Sequence, residues 1–84
     1  MDDWIDRFAG SLGELPLSEA DRVRLLTAAR EVAHRVERKV TPLAAFLIGQ
    51  AVGTEMAHGA SRFEALAGAL ETLDSVLPDL PTET

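Results

Sequence analysis

The stretch Thr41–Gly59, TPLAAFLIGQAVGTEMAHG, decides the fold. It opens on a helix-start signal. Threonine is a good N-cap, and proline at the first helical position loses nothing, because that N–H has no partner within the helix anyway. Gly59 is a stop signal. Between them apolar residues occupy nearly every face, and a helix that is apolar all round has to be buried. In a chain of 84 residues the other helices are what can bury it. The reading is an all-α, compact four-helix domain with a central apolar helix over about 42–58.

The flanking segments supply three more helices. The first runs from about Asp3 to Leu12, with Trp4, Ile5, Phe8 and Leu12 at helical spacing and Trp4 and Phe8 expected in the core. Gly10 and Gly13 weaken its end, Pro16 blocks continuation, and Leu15 and Leu17 are expected to tuck down from the loop. The second is expected from Ser18 to about Lys39, capped by Ser18 with Asp21. Val23, Leu26, Ala29, Ala33, Val36 and Val40 form its apolar stripe, and Glu31–Arg35 an attractive i,i+4 pair. The fourth is expected from Ser61 to Leu77, with Ser61 and Glu64 as a capping box and Phe63, Leu66, Leu70, Leu73 and Leu77 as the stripe; Pro78 ends it. Residues 1–77 read as one helical domain and 78–84 as a flexible tail.

Composition narrows the class of function. There is no cysteine, so neither disulfides nor a thiolate zinc site can staple the fold. Hydrophobic residues make up 46% and charged residues 26%, a balance suited to a folded chain rather than a disordered one. The net charge of −6 opposes non-specific nucleic-acid binding. The charge is uneven, however: Arg22 to Lys39 holds Arg22, Arg24, Arg30, Arg35, Arg38 and Lys39 against Glu31 and Glu37. The acidic N-terminus lacks the order of a signal peptide. The longest uncharged run, Val40–Thr54, is shorter than the ~20 apolar residues of a membrane span. The expectation is a cytoplasmic protein without membrane or nucleic-acid partners.

Two residue sets stand out. Ala45, Gly49, Gly53 and Ala57 recur every four residues in the third helix and make a ridge on which another helix can come close. That ridge suits a homodimer seam or, as the reading adopted here, tight packing inside one chain. Its two glycines each cost about 1 kcal/mol of helix stability relative to alanine. Arg30, His34 and Arg38, spaced by four on the second helix, together with Thr41 at the start of the third, form a candidate anion or partner site. The plainer interpretation is a solvated basic stripe with His34 bonded to a backbone carbonyl.

Other chemistry finds little support. Glu55 and His58 have the i,i+3 step of di-metal bundles, but no second copy exists, and His58 suits the helix end. Ser11, Ser18, Ser61 and Ser75 lack a paired base, so no catalytic residue and no cofactor is assigned.

The string from Ala29 to Gly53 resembles a small actinobacterial helical domain of unknown function. That domain also occurs as a C-terminal appendage of molybdenum-cofactor guanylyltransferase-like proteins. The resemblance rests on Trp4, Ile5 and Phe8; on Ala29, Arg30, Ala33, His34 and Arg38; and on Pro42, Leu43, Phe46, Leu47, Gly49, Ala51 and Gly53, and covers roughly residues 1–55. It implies a non-catalytic accessory module linked to molybdopterin cofactor maturation. The expected function is thus an interaction domain with a protein partner, such as a cofactor-biosynthesis enzyme, and a possible homodimer. The alternative is a small anion- or nucleotide-binding module using the basic face of the second helix, with a phosphorylated cofactor or nucleotide held between the second and third helices.

Overall fold

A computed structural model of the chain describes residues 2–79. Four α-helices follow one another: α1 (Asp2–Ser11), α2 (Glu19–Arg35), α3 (Thr41–Ala57) and α4 (Arg62–Val76), with a 3₁₀ turn at Arg38–Val40 and no strand among the described residues. The all-α, four-helix expectation holds.

Local chemistry sets most of the boundaries. The Ser18 side chain accepts a hydrogen bond from the Asp21 N–H and starts α2. Ser61 and Glu64 form a reciprocal capping box at α4. Two helices end on glycines with positive φ, Gly13 at +76° and Gly59 at +104°. In each case the residue after the glycine donates back around the helix end, Glu14 to the Ala9 carbonyl at 2.8 Å and Ala60 to the Glu55 carbonyl at 3.1 Å.

The junction between α2 and α3 departs from expectation. α2 stops at Arg35 rather than Lys39, and Glu37 is extended. Thr41 is not a cap: it lies inside α3, the N-cap is Val40, and no side chain caps the end. Pro42 accounts for the tight turn ahead of it. It has no N–H to offer the Arg38 carbonyl, and its ring crowds that carbonyl in a regular helix. The Thr41 N–H bonds Arg38 instead, closing a 3₁₀ turn.

The core is small. Val32, Ala65, Leu66 and Leu77 are buried, and Asp21 is buried beside Arg24 at 3.7 Å. The inward line of α2 is Asp21, Leu25, Ala28 and Val32; Val23, Leu26 and Val36, expected in the stripe, are exposed. Longer ties reinforce the core. Arg24 lies over the Phe63 ring at 4.4 Å, Arg62 donates to the Pro16 carbonyl at 3.0 Å, and Arg35 donates to the Pro78 carbonyl at 2.7 Å. The first residue of the expected tail is therefore anchored, while 80–84 lie outside the described residues.

The apolar helix is central in one sense only: α3 contacts α4, α2 and the 3₁₀ turn. It is not enclosed, for none of its residues is buried. The physical reason is a shortage of neighbours. Two helices flank α3, and the one that could cover it, α1, stands off; among the described residues no Cα of α1 comes within 8 Å of another helix. α1 is held instead by the Asp6–Arg22 ion pair at 2.6 Å. Trp4 and Phe8 stack on each other, with centroids 5.2 Å apart, and are exposed rather than in the core. Leu15 is exposed as well, whereas Leu17 is half-buried. The radius of gyration is 13.9 Å, against about 12 Å for a fully condensed domain of this length.

Candidate functional site: a basic edge and an apolar face

Arg30 and His34 sit one turn apart on the exposed side of α2. Arg38 does not continue their row, because α2 has ended; it stands on the 3₁₀ turn beyond the extended Glu37. Thr41 is half-buried, and its Oγ1 has no hydrogen-bond partner among the described residues. Its N–H, counted on for an anion, is taken by the Arg38 carbonyl. The four residues thus lie along one connection without closing around a common point on α2.

The pairing of the basic run singles out the same side chains. Arg22, Arg24, Arg35 and Lys39 each have a carboxylate within 4 Å, on Asp6, Asp21, Glu31 and Glu37 respectively. Arg30, His34 and Arg38 have no ion-pair or hydrogen-bond partner among the described residues. His58 and Glu55 are both exposed near the end of α3.

The second feature is an apolar groove of about 510 Å³ between α2 and α3. Leu25, Ala29 and Val32 line one wall, Ala45, Ile48 and Val52 the other, and Leu66 of α4 lies among them. Ala28, Ala29, Ala44, Ala45 and Gly49 among the lining fill little of the space between the helices, so a trough remains. Sequence reasoning set an anionic ligand between these two helices and missed that the groove there is apolar. The signal available was the run of small residues on both helices, Ala28 and Ala29 opposite Ala44, Ala45 and Gly49.

Gly49 and Gly53 face open space: a Cβ built on either meets nothing within 4 Å. Ala45, Gly49 and Gly53 of the expected packing ridge line the groove between α2 and α3. Phe46, Leu43 and Leu47 are exposed on the same helix. With the 3₁₀ turn included, Arg38–Ala57 is 20 residues long with mean hydropathy 1.2. By length and composition alone it reaches the requirement for a membrane span, which the shorter uncharged run did not.

Over residues 1–84 the chain matches the family described as a domain of unknown function (DUF6457). It belongs to that family. No curated protein and no solved structure matches it. Membership covers the whole chain, so α1 and α4 are as much part of the DUF6457 domain as the α2–α3 segment that carried the resemblance.

Proposed function

We propose that this DUF6457 domain is a non-catalytic interaction module that docks on a protein partner through the basic edge at the α2–α3 connection. One observation carries the reading. In a chain of net charge −6, four cations of the basic run are neutralised internally, and Arg30 and Arg38, with His34 beside them, are left unpaired and exposed. Guanidinium groups held in water without partners suit an acidic protein surface or the phosphate of a ligand bound by that partner. The resemblance to the appendage of molybdenum-cofactor guanylyltransferase-like proteins makes such an enzyme the partner of choice.

Titration calorimetry of the chain against a molybdenum-cofactor guanylyltransferase-like enzyme tests this. The double variant Arg30→Ala/Arg38→Ala is expected to bind at least tenfold more weakly, about 1.4 kcal/mol, with unchanged far-ultraviolet circular dichroism. Undiminished binding by that variant rejects the basic edge. No binding by the wild-type chain rejects this partner.

A further inference from the structure

We infer that α3 is the seam of a two-fold dimer, in which two copies pair antiparallel and Phe46 of each lies over Gly53 of the other. The inference is independent of the basic edge and rests on three observations.

The first is an unexplained pair of residues. Gly49 and Gly53 lie inside a 17-residue helix, where each glycine costs about 1 kcal/mol relative to alanine. Both line the α2–α3 groove, and among the described residues nothing approaches the space that a side chain would take. Neither has a positive φ, unlike Gly13 and Gly59. A close neighbour from outside the chain gives them a role.

The second is surface. The chain exposes 6444 Å², about a third more than a folded monomer of its 9.0 kDa presents. A standard stable interface takes about 800 Å² from each partner. The detached α1 and the open face of α3 both contribute to this excess, which is large enough to supply such an interface.

The third is charge and shape. Pro42, Phe46, Gly49, Gln50, Gly53 and Ala57 share one side of α3 by their spacing, and none is charged; the helix carries a single ionised residue, Glu55. Two chains of net charge −6 repel wherever acidic surfaces meet, so an uncharged strip is where copies can touch. The strip is also self-complementary. An antiparallel pair centred between Gly49 and Gln50 sets the 69%-exposed Phe46 opposite Gly53 of the second copy. A large side chain then faces a residue without one, twice over, as an isologous interface requires.

Light scattering and sedimentation velocity on the full chain test the seam. The wild type is expected at twice 9.0 kDa, dissociating on dilution. Phe46→Glu and Gly53→Leu are expected to raise the dissociation constant at least about a hundredfold, the size of a central hot-spot loss, with helical circular dichroism retained. Gly68→Leu, an equally open glycine on α4, leaves the dimer intact. With Gln50→Cys, copper-catalysed air oxidation is expected to link two chains through a disulfide, and with Glu71→Cys it is not. A monomeric mass at every concentration overturns the inference. So does a dimer indifferent to both α3 variants, or co-sedimentation of monomer with phosphatidylcholine vesicles. None of these outcomes bears on Arg30 and Arg38, so this test and that of the basic edge fail separately.

Discussion

Helices α4 and α3 lie against each other, yet they meet the demand for burial differently. α4 has 15 residues, a capping box, and two buried side chains, Ala65 and Leu66. α3 has 17 residues, is the more apolar of the two, lacks a side-chain cap, and buries nothing. The difference shows that apolar content and burial are separate quantities. The first belongs to a segment and the second to its neighbours. In α4, Leu66, Leu70 and Leu73 fall on one stripe that α2 and α3 cover together, while Phe63, expected in that stripe, and Val76 stay exposed. In α3 the apolar residues spread over every side, and α1, the one helix among the described residues that packs against no other, stands off instead of covering the outer side.

The comparison is sharpest between leucines. Leu66 is 3% exposed beneath the groove, and Leu66→Ala should cost about 3 kcal/mol through lost transfer energy and a cavity. Leu47→Ala, on the open side of α3, should change stability by less than about 0.5 kcal/mol. Urea denaturation followed by circular dichroism measures both, and comparable costs would remove the distinction between the two helices. Next comes the stop between them. Gly59→Ala places a side chain at φ +104° and should cost about 1–2 kcal/mol, read as a lowered urea midpoint. Ser61→Ala removes one half of the capping box and should cost about 1 kcal/mol. It should act on α4 alone, since α3 has no side-chain cap to lose. The smallest effect belongs to α1. Asp6→Ala removes the ion pair to Arg22, partly exposed, and should cost no more than about 1 kcal/mol while leaving the melting of α2–α4 cooperative.

Much of this was legible from residue order. Ser18, Ser61 with Glu64, Gly13 and Gly59 act over three to five residues, so their structural roles follow from spacing alone. Glu31–Arg35 is equally local, and the observed separation is 3.0 Å. Errors arose where a second influence reached across. Val36 and Val40 continue the apolar rhythm of α2, but the extended Glu37 breaks the helix, and Pro42 disturbs the hydrogen bonding of Arg38 four residues back. Trp4 and Phe8 have core spacing, and only the three-dimensional placement of α1 reveals that they stack on each other in the open. Likewise, Arg30, His34 and Arg38 were identifiable as cations in one neighbourhood. Their lack of partners was not, because it depends on where Asp6, Asp21, Glu31 and Glu37 point. The apolar character of α3 was plain, but periodicity identifies which sides need cover and is silent on whose side chains provide it.

Phe46 and Val76 offer a direct reading of that question, because the single chain exposes them almost equally, at 69% and 70%. Broadening of their side-chain NMR signals by a soluble paramagnetic probe measures how much of each meets solvent. With α3 covered by a second copy, the Val76 methyl signals should broaden strongly while the Phe46 ring is spared. Equal broadening of the two, at protein concentrations where the dimer is expected, contradicts the account.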